Sequence, residues 1–243
     1  MPEHLTNRVA KQALLGRLRV KLARLEQGVR TDRRTLPLEL AAVDRVLPGG
    51  GLARGCLHEL CGAPDRAAAV GFAAALLGRL ARDGHVAWIG PRDDLFAPGL
   101  SALGLAPERL IVVRAGARAA RLWALEEALR SPGLVAALAE VDQLTLTQSR
   151  RLQLAAEAKG VTAFLLRPLA ACEAPCAAVT RWRITALPEN SPCWGPPRWQ
   201  VELFRCRGGR TGSWAMTWRE GGFHESALAV AAEPGDRSRA GFG

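Results

Sequence analysis

The sequence contains no tyrosine, and its four histidines, His4, His58, His85 and His224, stand far apart. No Ser/His/Asp, Cys/His or paired-carboxylate arrangement forms among neighbouring positions, so nothing points to nucleophilic or general acid–base catalysis. No apolar run is long enough to span a bilayer, and the chain does not open on the basic, apolar and small-residue pattern of a secretory signal. The expectation is a cytoplasmic protein with no membrane contact. The six cysteines (Cys56, Cys61, Cys172, Cys176, Cys193 and Cys206) are too dispersed for the framework of a small secreted domain, and buried free thiols are expected. Cys172, Cys176, Cys193 and Cys206 are irregularly spaced with no histidine nearby, which argues against zinc. Neither metal nor cofactor is expected. Internal repeats are absent.

What is present suits one buried core: 243 residues, of which 49% are hydrophobic. Positive charge is concentrated at one end. Residues 1–34 hold nine Lys and Arg against three Asp and Glu, residues 35–180 hold fifteen against fourteen, and residues 181–243 hold nine against six. A basic arm is the electrostatic footprint of nucleic acid or an acidic partner. The use of Arg for Lys and the abundance of Ala, Gly and Pro fit codon bias equally well. Within the arm, 7–26 reads as an amphipathic helix. Leu14, Leu15, Leu18, Leu22 and Leu25 form a stripe, and Lys11, Arg17, Arg19, Lys21 and Arg24 spread over the rest. Such a stripe packs either on its own domain or on a partner. Leu14, Arg17, Leu18, Lys21, Leu22 and Leu25 are therefore candidate partner or DNA contacts.

From residue 36 onward strands and helices alternate. The spacing predicts strands over 56–61, 85–89, 110–113, 134–141 and 161–166. It predicts helices over 65–82, 95–103, 118–130 and 147–159. Alternation of this kind gives right-handed crossovers and a mainly parallel sheet with helices on both faces. After Pro168 the texture changes. Segments 179–187, 198–205 and 214–219 alternate apolar and polar residues, which predicts an antiparallel hairpin extension of the same sheet. The organisation is thus a basic helix and linker over 1–34, a core over 35–231 and a disordered tail over 232–243.

In a doubly wound sheet, ligands sit at the carboxyl ends of the strands. The first strand runs into 62–69 and then a helix, which is the position of a phosphate loop. The working pattern G-x-x-x-x-G-K-[ST] supplies backbone amides for phosphates, an ammonium and a hydroxyl for Mg²⁺. Here Gly62 keeps the first position. Ala67, Ala68 and Ala69 occupy the glycine, lysine and hydroxyl positions. The charge-neutralising parts of phosphoryl transfer are missing. Helix amides and Arg66 retain at most a weak anion site.

The stretch Leu47-Pro48-Gly49-Gly50-Gly51-Leu52-Ala53-Arg54-Gly55, followed by a strand ending Glu59-Leu60-Cys61-Gly62, resembles the entry to the RecA core. Over about 36–223 the order of elements resembles it too. Residues 149–157 (SRRLQLAAE) and 164–168 (FLLRP) make the chain similar to the ImuA family, RecA-like and SulA-related. The resemblance implies a RecA-like core of the P-loop NTPase type. It implies a non-catalytic adaptor of damage-induced (SOS) mutagenic translesion synthesis, cytoplasmic and nucleoid-associated under damage. The implied partners are ImuB, an inactive Y-family polymerase homologue, and an error-prone C-family polymerase, with RecA and DNA as further candidates. The alternative implied by SulA is a cell-division inhibitor binding FtsZ; the extended arm and complete core argue against it.

Departures from the RecA pattern agree with a lost activity. Arg92 stands where the resemblance places the catalytic glutamate, and Arg167 where it places the γ-phosphate-sensing glutamine. Glu140 and Asp142 end the fourth strand, with their register open. The DNA-binding loops are reduced to 143–146 and 169–178, the latter without Lys or Arg. Arg150 and Arg151 at a helix start are candidate partner contacts, against a plain solvated face. Trp182, Trp194, Trp199, Trp214 and Trp218 interleave with Arg181, Arg183, Arg198 and Arg219. That pattern serves base stacking, interface anchoring or core packing.

Overall fold

The computed structural model describes residues 35–62, 66–92, 94–187 and 195–226. The expected helix and linker over 1–34 and the tail over 232–243 lie outside the described residues. The chain enters through strand β1 (Thr35–Leu36) and helix α1 (Ala41–Asp44), and turns back through β2 (Leu52–Ala53), antiparallel to β1. The turn needs two left-handed residues, and Gly49 (φ 75°) and Gly50 (φ 74°) supply them.

The core elements then follow as β3 (Leu57–Gly62), α2 (Ala67–Leu80), β4 (His85–Gly90), α3 (Ala97–Ala102), β5 (Leu110–Arg114) and α4 (Arg118–Arg130). After them come β6 (Leu134–Glu140), α5 (Leu146–Lys159), β7 (Thr162–Pro168), β8 (Thr180–Ala186), β9 (Arg198–Cys206), β10 (Gly212–Arg219) and β11 (Gly222–Glu225). Strands β3 to β11 make one nine-stranded sheet in the order β11-β10-β9-β8-β3-β7-β6-β4-β5. From β5 to β8 every pairing is parallel; from β8 to β11 every pairing is antiparallel. The fold is α/β with a large, mostly parallel sheet between helices, compatible with a RecA-like core.

Side-chain alternation sends each strand into two cores. On one face, α2 packs Phe72, Ala73, Leu76, Leu77 and Leu80 against Trp88, Leu138, Phe164, Trp182, Trp199 and Met216. This helix is Ala- and Leu-rich, with high helix propensity, and it is buried almost all round. On the other face, α4 and α5 bring Leu125, Leu129, Leu152 and Ala156 onto Ala87, Ile89, Ala137, Ala139, Ala163 and Leu165. Helix α5 starts on a capping box. Thr145 Oγ1 accepts from the Gln148 amide at 3.2 Å, and Gln148 Oε1 accepts from the Thr145 amide at 3.0 Å. Gly160 at φ 74° terminates it.

Two expectations need correction, and one further strand carries no sequence signal. Strand β8 opens the expected antiparallel meander by pairing with β9, but it joins the rest of the sheet parallel to β3 and not antiparallel. The linking segment after β7 carries the chain back along the sheet before β8 begins. It is held there by Ala177 N to Ser149 Oγ (3.0 Å) and Val179 N to Leu57 O (2.8 Å). Strand β11 was not foreseen, because four residues are too few to display alternation. Cys61 and Cys172 are not separate thiols. They meet sulfur to sulfur at a Cα–Cα distance of 6.3 Å across 111 residues of chain, a separation that leaves no sequence signal. Among the described residues no helix is long and apolar enough to cross a membrane.

Candidate functional site

The carboxyl ends of β3, β4, β6 and β7 open into a cleft of about 360 Å³. This is where a doubly wound sheet places its ligand. Gly62 and Ala69 line it from the loop and α2, Pro91 and Arg92 from the end of β4, and Glu140, Val141 and Asp142 from the end of β6. Leu166 and Arg167 line it from β7, and Arg121 reaches in from α4. The sheet therefore brings together Gly62, Ala69, Arg92 and Arg167. Ala67 and Ala68 do not join them. They line a second hollow of about 270 Å³ beside Ala186, Pro197 and Trp199. Gly62 also has a plain packing reason to be glycine, because a Cβ there would lie 2.8 Å from the Cβ of Ala69.

The polar groups of the cleft are engaged with one another. Glu140 is buried at the end of β6. Its Oε2 takes Arg66 at 2.5 Å, and its Oε1 accepts from Trp88 Nε1 at 2.9 Å. Gly90 leaves the room for that carboxylate, since a Cβ there would lie 3.1 Å from Glu140 Oε1. Arg66 is the residue just before α2, so the cation at the start of this helix is held by a carboxylate of the same chain. Arg121 donates to the carbonyls of Ala115 (3.2 Å) and Gly116 (2.5 Å), with Asp142 Oδ1 at 3.9 Å. Arg92, at the mouth, pairs with Asp94 at 3.1 Å, both exposed.

Arg167 belongs to a buried ionic triad beneath the cleft floor. Glu59, fully buried in the central strand, pairs with Arg167 through one oxygen and with Arg181 through the other. Arg167 also donates to Asp142 O at 3.3 Å. Arg181 donates to the carbonyls of Cys172 (2.7 Å) and Ala174 (3.0 Å). The triad thus ties β3, β7, β8 and the β7–β8 link together. Burial and the neighbouring Glu59 carboxylate push the Cys176 thiol above its ordinary range. His58 is also structural. Trp182 Nε1 donates to Thr180 Oγ1 (2.7 Å). Thr180 Oγ1 lies 2.7 Å from His58 Nδ1, and His58 Nε2 lies 2.7 Å from Ala53 O. Burial holds the imidazole down at about 4.

The remaining expected residues fall as follows. Leu14, Arg17, Leu18, Lys21, Leu22 and Leu25 lie outside the described residues. Arg150 and Arg151 both lie exposed on α5, and Arg151 is paired with Glu126 of α4. Trp182, Trp199 and Trp218 are 1%, 2% and 5% exposed, so these three offer no free stacking face, and Trp214 packs half-buried on the same core. Trp182, Trp199 and Trp218 pack around Phe72 and Phe223, and Trp214 packs on Trp182. Trp194 lies outside the described residues. The stacking platform is thereby replaced by core packing. Sequence reasoning missed the partnership of Arg66 with Glu140 and of Glu59 with Arg167 and Arg181. These pairs span 74, 108 and 122 positions, and no local spacing reports them.

No family model matches the chain. Two curated relatives do. The chain is 41% identical over 217 residues to Protein ImuA of Caulobacter vibrioides strain NA1000 / CB15N, an alignment covering 82% of this chain and 89% of that protein. The Protein ImuA of Caulobacter vibrioides strain ATCC 19089 / CIP 103742 / CB 15 matches with the same identity and coverage.

Proposed function

Since this chain belongs to the ImuA family, we propose that it is a non-catalytic accessory protein of damage-induced mutagenic DNA synthesis, acting in the ImuA/ImuB system. Its core is a RecA-like fold whose nucleotide cleft has been converted into an internal salt-bridge site. Its partners are an ImuB-type inactive Y-family polymerase homologue and an error-prone C-family polymerase. RecA and DNA are further contacts, the latter through the basic arm.

The observation that carries the non-catalytic reading is the Arg66–Glu140 pair. A triphosphate with Mg²⁺ needs a cation aimed at its oxygens and a carboxylate turned toward the metal. Here these two charges neutralise each other, and Trp88 holds the second carboxylate oxygen. The alanine at position 69 faces the same cleft and offers no metal ligand. Arg167, at the sensor position, is bound to Glu59 in the protein interior.

Genetic replacement in the host tests the proposal. Deletion of the gene is expected to abolish the damage-induced rise in mutation frequency. Arg66→Ala and Glu140→Gln, expressed at wild-type levels, are expected to restore it nearly in full. Normal mutagenesis in the deletion strain would remove the assignment. Loss of mutagenesis in both point variants, with the protein folded, would restore a working role to the cleft.

A further inference from the structure

We propose that Cys61 and Cys172 form a reversible disulfide, a redox-operated lock that pins the link between β7 and β8 against the end of β3. This goes beyond the adaptor reading and does not rest on it, so either can fail without the other.

The lock follows from where the two residues stand. Cys61 directly precedes Gly62 of the cleft and pairs in parallel register with Arg167 of β7. After Pro168 the chain leaves the sheet in one 3-10 turn, Leu169–Glu173, which packs against β3, β7 and β8 and carries Cys172. The two Cα atoms lie 6.3 Å apart and the sulfurs meet. A disulfide spans Cα separations of about 4.4–6.8 Å, so the bond closes without moving either backbone. It joins residues 111 positions apart. In doing so it ties the strand end at Gly62 to the segment that continues from Pro168, two residues that both line the cleft.

Reversibility comes from the unequal settings of the two sulfurs. Cys61 is fully buried in the sheet. Cys172 is buried too, but its turn is at the surface, where Ala170, Glu173 and Pro175 are exposed. A local opening of the turn presents the Cys172 sulfur first. The turn also has an anchor that does not depend on sulfur. Arg181, held by Glu59, donates to the carbonyls of Cys172 (2.7 Å) and Ala174 (3.0 Å). Glu59 stands two residues before Cys61 and so on the same face of β3. The triad therefore guides the turn back to Cys61 after each opening, and the fold stands with the bond open or closed. Cys176 is the competing thiol nearest in sequence to Cys172. Burial and the Glu59 carboxylate keep it protonated, and a protonated thiol does not attack a disulfide.

The chemistry is thiol–disulfide exchange. In closing, the Cys172 thiolate attacks glutathione disulfide, forms a mixed disulfide and releases one glutathione thiolate. The Cys61 thiolate then attacks the Cys172 sulfur and releases the second. The cysteine pair loses two electrons, glutathione disulfide gains them, and the two thiol protons pass to the two glutathiones. A dithiol reductant attacks Cys172 and runs the steps backward.

The test equilibrates the full chain, without denaturant, with glutathione disulfide or with dithiothreitol. Peptide mapping without reductant is expected to show a Cys61–Cys172 cross-link in the first state only. Of the six cysteines, four are then expected to react with iodoacetamide in denaturant, against all six in the second state. Hydrogen exchange over 169–176 is expected to be at least about tenfold faster in the reduced state, with 134–140 unchanged. Cys172→Ser is expected to keep the fast rate under both conditions. The two states of the unaltered chain carry the test on their own should that variant not fold. No cross-link, a Cys172–Cys176 cross-link in its place, or equal exchange in the two states would overturn the proposal. So would a bond that dithiothreitol opens only in denaturant, which would make it a permanent staple.

Discussion

The cleft at the strand ends and the edge of β5 are close in the fold and opposite in character. In the cleft the charged groups have found partners within the chain: Arg66 with Glu140, Arg167 with Glu59, Arg92 with Asp94. At the edge, apolar side chains and backbone groups have no such partner among the described residues. A site that must grip a ligand keeps its donors uncommitted until the ligand arrives. A surface that must grip a protein keeps apolar area uncovered. Under the proposed function, the working part of this molecule is its surface and the cleft has a structural task.

Removing Glu59 tests that structural task most severely. Glu59→Gln leaves two buried guanidiniums without a counter-charge, and loss of one partner of a buried ionic group costs about 3–5 kcal/mol. Urea denaturation is expected to register a loss of that size. A loss below about 1 kcal/mol would mean that the triad does not hold β3, β7 and β8 together.

The next effect is one of pH. His58 titrates at about 4 in the folded chain against 6.5 as its ordinary value, because burial disfavours the charged ring. Between those values the unfolded chain binds the proton and the folded chain does not. The stability is therefore complete above pH 6.5 and is lost as pH falls toward 4, by about 3 kcal/mol in all. Denaturation at pH 6.5 and 4.5 measures this slope, and His58→Gln is expected to flatten it.

The smallest effects sharpen the contrast between the two regions. Arg66→Ala removes a half-exposed partner of Glu140 and is expected to cost about 1 kcal/mol. Ile111→Lys, at an exposed edge, is expected to shift stability by no more than about 0.5 kcal/mol. If the edge substitution proved the costlier of the two, β5 would be part of the core and not an open surface.

The alternation of apolar runs with helical periods is a local signal. It located β3 to β7 and the helices between them to within a few residues, together with the change of texture after Pro168. The cleft lining was legible in part: Gly62 and Ala69 reach it, whereas Ala67 and Ala68, their neighbours in sequence, line another hollow. What the side chains there do was not legible. Arg66 meets Glu140, and Glu59 meets Arg167 and Arg181, only once the strand order is set, and strand order is a long-range property. The direction of β8 was hidden in the same way, because an alternating strand reads alike whether it pairs parallel or antiparallel. The tryptophans misdirect for another reason. Their interleaving with arginine places the two residue types on opposite faces of one sheet, so Trp182 enters the core while Arg183 remains partly exposed.

Calorimetric titration of the full-length chain with Mg-ATP, with and without single-stranded DNA, weighs the self-neutralised cleft most directly. No saturable heat and no phosphate release are expected in either case. A Mg²⁺-dependent binding isotherm accompanied by DNA-stimulated hydrolysis would contradict it.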